Sequence, residues 1–393
     1  MPPNPTAQRP SSSFDMMFSD KAQPVDLLGP YRYIIKLTGL DCSAVTSSKK
    51  CASRLITAFA ILVILSQFFR TIVLFSSEGP VLSFAWAESN MFAFMGIHGI
   101  TCAFCLFGWT KNKFLSNLVD GLRQLAQLRP IPLFFCVFGY SINAAFEEKF
   151  LLGGHVVKPY LYVLMPILTF YTILIVSCTL TIYVVGNVAL TRELEYMNCE
   201  IEKQSKDNNL KVLIDFVLIP IFIHSGYCCA ICFQFKTNEI LELVQTSNNS
   251  LGSYGKFGPI FGFFGIINAI YISSFSGTIP SLPYTCLIIT MFSDIAIVLF
   301  TLIPPSKLQE EIEKTAKIIM LDSDIESTKE PQLYHTYRIM CDRSLRFDTA
   351  LYVLNGFPIN SRSFNVAMFI IPNIGAVLIL LKKCLEYNGI KVQ

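Results

Sequence analysis

Val212-Leu-Ile-Asp-Phe-Val-Leu-Ile-Pro-Ile-Phe-Ile-His-Ser-Gly-Tyr-Cys-Cys-Ala-Ile-Cys-Phe-Gln-Phe235 is apolar enough to enter a membrane and polar enough to stay out of one. It carries Asp215, Pro220, His224 and Gln234, the heaviest polar load among eight apolar blocks. A charge near a helix centre costs about 2.5–3.5 kcal/mol on the insertion scale. The other seven blocks are roughly 55–75, 84–109, 131–152, 160–190, 259–275, 282–303 and 364–381. Each approaches the roughly 20 residues that a spanning helix needs. Eight crossings leave both ends on one side of the bilayer, and seven leave them on opposite sides.

Lys and Arg choose between the two, because cytoplasmic loops carry an excess of them. Residues 1–53 hold six, 77–83 none, 110–130 four, 153–159 one and 191–211 four. Farther on, 236–258 hold two, 276–281 none, 304–361 seven and 382–393 three. With the first segment inside, the first four crossings alternate cleanly. If 212–235 also crossed, the seven cations of 304–361 would lie outside. The rule therefore favours seven spans, an inside N-terminus and an outside C-terminus, with 212–235 held in a cytoplasmic loop. The alternative is a crossing of 212–235 as a kinked helix, since bundles tolerate some polar residues. Asn248-Asn249-Ser250 is a glycosylation sequon that faces the cytosol in the seven-span arrangement.

Composition agrees with a membrane class. The chain has 393 residues, 52% apolar and 15% charged, against roughly 25% charged in soluble proteins. Mean hydropathy is +0.50. A disordered chain, a nucleic-acid-binding domain and an ordinary cytosolic enzyme are excluded. Net charge is only +3, so no strong field selects an acidic partner. Most of the 13 cysteines lie in apolar runs, where thiols act as small hydrophobes. Cys102-x-x-Cys105 and Cys229-x-x-Cys232 are each half a zinc motif without a hydrophilic second half. No cofactor and no metal are expected.

The expected organisation follows. Residues 1–24 form a Pro/Ser-rich disordered cytoplasmic tail. Spans one to four occupy 25–190, a cytoplasmic anchor region 191–258, and spans five and six 259–303. Further cytoplasmic anchor helices fill 304–360, span seven 361–383, and a short outer tail 384–393. The fold class is an all-α membrane protein of seven transmembrane helices with a helical cytoplasmic anchor. Within the 110–130 loop, Phe114, Leu118, Leu122, Leu125 and Leu128 share one helix stripe. After Pro304-Pro305, Ser306-x-x-Gln309 reads as a capping-box start, and the sixth span is expected to continue into a cytoplasmic helix. Glu310–Lys314 and Glu313–Lys317 are i,i+4 pairs in the favourable order. A second helix is expected through Leu333, Tyr337, Met340, Phe347, Leu351 and Leu354, stopped by Gly356 and Pro358. These stripes need apolar partners, either within the chain or in other subunits.

Three stretches resemble a family. They are Leu27-Leu-Gly-Pro-Tyr-Arg-Tyr-Ile-Ile-Lys-Leu-Thr-Gly-Leu40 before the first span, Ile303-Pro-Pro-Ser-Lys-Leu-Gln-Glu-Glu-Ile-Glu-Lys314 after the sixth, and Leu354-Asn-Gly-Phe-Pro-Ile-Asn-Ser-Arg362 before the last. The chain resembles a divergent arthropod gustatory receptor, one of the inverted seven-span chemosensory receptors. That family typically ends its last span with Thr-Tyr, five apolar residues and Gln-Phe. Here Gly375-Ala376-Val-Leu-Ile-Leu-Leu-Lys382-Lys383 keeps the apolar spacer and lacks the four signature residues. The resemblance implies a multi-pass plasma-membrane protein and a homo- or hetero-tetrameric, ligand-gated, non-selective cation channel. It implies a small-molecule tastant or internal metabolite as partner, besides membrane lipid, with no nucleic acid. It also implies a pore lined by the last span.

At 100° per residue, Asn365, Phe369, Asn373, Ala376, Leu380 and Lys383 fall in one arc about 80° wide. Val366, Ile370, Val377 and Leu381 lie on an aliphatic side. Polar residues inside a span face a water path or bond to neighbouring helices. Phe369 and Leu380 suit an apolar constriction. Lys382 and Lys383 either ring the pore or snorkel to headgroups. A ligand pocket in the outer halves of spans two to six would draw on Phe94, His98, Asn143, Tyr162, Met165, Tyr271, Tyr284 and Asp294. Asp294 either senses ligand or pairs with a neighbouring helix. A secondary transporter is the alternative function, although no internal repeat is visible. An enzyme is not expected, since the four histidines are scattered and no hydrolase or metalloprotease motif occurs.

Overall fold

The computed structural model describes residues 35, 38–40, 50–75, 83–112, 114, 159–206, 243–274, 281–320, 352–353, 357–359 and 361–388. Among them, long helices follow in the order α1 (Lys50–Phe75), α2 (Phe84–Lys111), α3 (Pro159–Lys206), α4 (Gly258–Ser273), α5 (Ser281–Met320) and α6 (Ser361–Tyr387). A helical stretch over 243–255 leads into α4 through a turn at Lys256 and Phe257. The expected blocks at 131–152 and 212–235, the tail 1–24, Asn143 and nearly all of the 110–130 stripe lie outside the described residues.

Five described segments are long and apolar enough to cross a membrane: Ala93–Lys111, Phe170–Cys199, Leu243–Ser273, Leu287–Thr315 and Met368–Tyr387. Leu55–Ser66 in α1 is a shorter apolar helix. The fold is a helical bundle of a multi-pass membrane protein. Phe170–Cys199 has 83% of its apolar window buried, which makes α3 the central helix. It packs on α2 and α5, while α4 packs on α5, α2 and α6, and α1 lies against α2. Leu55, Phe59, Leu62 and Phe69 on α1 point outward, as a lipid-facing surface requires.

Local chemistry explains the elements. Ser83 caps α2 by accepting from the Trp86 N–H at 3.1 Å. Inside the helices, Thr172, Ser177, Thr191 and Thr301 donate to carbonyls four residues back, at 2.7–2.8 Å. This satisfies hydroxyls that meet no water. Gly39 turns the chain before α1 with φ 72. A Cβ there would meet Ile56 Cγ2 at 2.7 Å, so glycine is sterically required at this turn.

One expected boundary differs: α3 runs unbroken for 48 residues, about 72 Å, well past the apolar block that ends at Leu190. The expected continuation of the sixth span is present, since α5 runs 40 residues through Pro304 and Pro305. No capping box starts at Ser306, whose Oγ instead donates to the Ile303 carbonyl at 2.9 Å. Pro305 removes the N–H that would bond to the Thr301 carbonyl. The Tyr183 hydroxyl of α3 donates to that carbonyl at 3.1 Å and replaces the lost partner.

Toward the far ends of these two segments, α3 and α5 stay clamped. Asn198 Nδ2 donates to the Glu311 carbonyl at 3.0 Å and to its Oε2 at 2.8 Å. Thr315 Oγ1 donates to Asn198 Oδ1 at 2.7 Å. Lys314 reaches across to Glu202 at 3.1 Å. The sequence had offered it Glu310 on its own helix. The end of the expected helix through Leu354 is not helical. Tyr352–Val353 pairs antiparallel with Phe357–Pro358, in the register Tyr352 opposite Pro358 and Val353 opposite Phe357. Residues 321–351 of that expected helix and loop lie outside the described residues.

Candidate functional site

The last helix departs most from the rest of the bundle. Only 12% of the Met368–Tyr387 window is buried. The face that touches the bundle is neither the polar arc nor the aliphatic side. It holds Gly375, Leu378, Ile379, Lys382 and Leu385, packed chiefly on α4. Gly375 allows that approach, since a Cβ there would lie 2.7 Å from Ile270 Cγ2. The candidate pore residues Asn365, Phe369, Asn373, Ala376, Leu380 and Lys383 are all exposed. Phe369 is 75% exposed and Leu380 61%. Asn373 Nδ2 donates to the Phe369 carbonyl at 2.7 Å, a turn back on its own helix. Val366, Ile370, Val377 and Leu381 are exposed as well.

Lys382 and Lys383 part company. Lys382 is buried, with Nζ 3.4 Å from Ser274 Oγ on the end of α4 and 4.0 Å from Glu386. Lys383, one residue on, points out with the polar arc. The snorkelling expected for the pair does not describe Lys382, because its position on the helix directs it at α4.

A second feature surrounds α4. Near its C-terminal end, Tyr271 joins Ala87 and Met91 of α2, Leu287 of α5, and half-buried Tyr284 and Leu378 in one apolar cluster. Trp86 meets Tyr271 edge-on, with ring centroids 6.5 Å apart. Farther along α4, Phe94 stacks on Phe264 at 3.4 Å and His98 on Phe261 at 4.5 Å. His98 Nε2 lies 3.2 Å from the Tyr254 hydroxyl, with both residues buried. Tyr254 in turn meets Tyr183 edge-on at 5.2 Å. Asp294 of α5 is buried, and its carboxylate covers Gly265 of α4.

Five of the eight candidate ligand residues, Phe94, His98, Tyr271, Tyr284 and Asp294, are therefore grouped around one helix. Tyr162 and Met165 lie on α3, and their side chains, like Asn143, are outside the described residues. Sequence reasoning missed Tyr254, Phe261 and Phe264. Their spacing of seven and three residues in the sequence was the available signal. Cys102, Cys105 and Cys178 are buried free thiols, and among the described residues no group of three or more His, Cys, Asp or Glu comes together.

The arrangement is similar to that of known receptors. The insect olfactory receptor OR5 from Machilis hrabei in complex with eugenol matches at TM-score 0.64 and 12% identity. That match covers 93% of this chain and all of that one (100%). A second structure of the same receptor matches at TM-score 0.63 and 11% identity, over 93% and 99% of the two chains. The likeness bears out, at the level of the fold, the resemblance to insect chemosensory receptors. No curated protein matches in sequence. A family model described as "Caenorhabditis protein of unknown function, DUF267" matches residues 27–132 and 130–375. Those matches run through most of the polypeptide, and the chain belongs to that family.

Proposed function

We propose that the chain is a subunit of a ligand-gated ion channel of the gustatory-type chemosensory class, working without a G protein. The observation that carries this reading is the last helix. A helix with 12% of its apolar window buried, beside a central helix with 83%, is incomplete in a single copy. Its polar arc combines two asparagines with apolar Phe369 and Leu380, the mixture expected of a gated water path. A ring of subunits, four in the class it resembles, would close the α6 helices around a central pore. Seven spans, an inside N-terminus and an outside C-terminus complete the reading, and Lys/Arg distribution supports them.

In this reading a small molecule binds among the aromatics around α4 in the outer half of the bundle, and the plasma membrane is the site of action. The same helix meets α6 where Ile270 lies against Gly375, and it meets His98 and Asp294 on its other sides. A ligand that displaces α4 thus acts directly on the pore helix. Eugenol is the first compound to test, because the similar olfactory receptor is known in complex with it. Expression in oocytes followed by a ligand panel should give evoked currents within milliseconds to seconds. Solute uptake at fixed stoichiometry without such current would favour the transporter and sink the channel.

A further inference from the structure

We infer that the pore passes anions in preference to cations. This rests on the reading above that α6 lines a central pore, and it departs from the cation conduction that the gustatory resemblance implies. The argument is the placement of every charge on α6. Over Ser361–Tyr387 these are Arg362, Lys382, Lys383 and Glu386.

At 100° per residue, Arg362 falls within the same arc as Asn365, Asn373, Leu380 and Lys383. Arg362 and Lys383 are both exposed, one near each end of the helix. The one acid, Glu386, is exposed, lies about 60° outside that arc, and comes within 4.0 Å of Lys382. Lys382 itself is turned away from the arc, onto Ser274. The pore face of α6 therefore carries a cation at each mouth, two neutral amide side chains between them, and no carboxylate.

Symmetry multiplies that pattern. In a closed ring each residue is repeated once per subunit, so Arg362 and Lys383 become two rings of positive charge around one axis. Such rings favour anions, and carboxylate rings favour cations. The focused field raises the local concentration of the opposite ion in the mouth. The amides of Asn365 and Asn373 can donate N–H groups to an ion stripped of part of its water, which suits chloride.

The experiment uses purified full-length protein in liposomes, with chloride influx and thallium influx read in parallel by entrapped dyes. Eugenol is the opening probe, and Phe369→Ala with Leu380→Ala provides a pore whose constriction is widened without ligand. Chloride influx should exceed thallium influx in the protein with the native arc. Lys383→Glu and Arg362→Glu should reverse that order, and Lys383→Gln should lie between. Monodisperse elution of each variant guards against misfolding. Thallium influx exceeding chloride, or an order unchanged by both Glu substitutions, overturns the anion pore and leaves α6 as a pore helix. No influx of either ion, with eugenol or with the widened constriction, overturns the pore reading itself and this inference with it.

Discussion

Gly262 and Gly265 let α4 lie flat against the Asp294 region of α5, and they do so in different ways. A Cβ on Gly262 would come 2.6 Å from Val298 Cγ2 and 3.0 Å from the Asp294 carbonyl, which is backbone and cannot swing aside. A Cβ on Gly265 would strike the Asp294 carboxylate instead. Overpacking of this kind costs about 1–3 kcal/mol. Gly262→Ala should lower the melting temperature in detergent whatever residue stands at 294. Gly265→Ala should lose most of its effect in an Asp294→Ala background, and equal losses in both backgrounds would refute the contact. Tyr254→Phe removes the hydroxyl from His98 Nε2 while keeping the ring. A buried polar atom left without that partner costs about 1–3 kcal/mol, so this single oxygen should be visible in the same melt.

Helices and their joints are where the sequence was most and least informative. Blocks at 55–75, 84–109, 160–190, 259–275, 282–303 and 364–381 all fall on described helices, because a run of apolar residues long enough to cross lipid leaves the backbone no alternative to a helix. The ends were harder. Past Leu190, α3 is sustained by Asn198 bonding to Glu311, 113 residues away, and nothing local to 191–206 announces it. The continuation past Pro304-Pro305 was legible, but the group that bonds the freed Thr301 carbonyl, Tyr183, stands 118 residues earlier than Thr301 and was not. The grouping of Phe94, His98 and Asp294 around α4 was legible only as approximate depth, since periodicity places a residue on a face and does not name the neighbour. The joint between α3 and α5 gives a measurable outcome. Asn198→Ala should destabilise by about 1–3 kcal/mol, because it strips partners from both Glu311 and Thr315. Lys314→Ala removes only a half-exposed ion pair, worth about 0–1 kcal/mol. A larger loss for Lys314→Ala than for Asn198→Ala would contradict this ranking.

The whole assembly is tested by Cys384. It is an exposed free thiol on α6, on the side away from α4. If copies of α6 surround one axis, mild oxidation or a short bis-maleimide should join subunits through Cys384, and Cys384→Ser should abolish the product. Cys199, also exposed but on α3, provides the contrast. Topology is checked separately. A tag at Met1 should stain only after permeabilisation and one at Gln393 without it. Asn248 should keep its mass under glycosidase treatment, and a glycan there would place the 243–255 helix on the other face. The length of α3 has a mechanical meaning. A continuous helix of 48 residues, about 72 Å, works as a lever. A tilt of about 3° about one tip carries the other through about 4 Å, larger than the reach of a hydrogen bond. A drug-sized wedge near Phe170 could thus be sensed at Lys206, with no residue in between changing its rotamer.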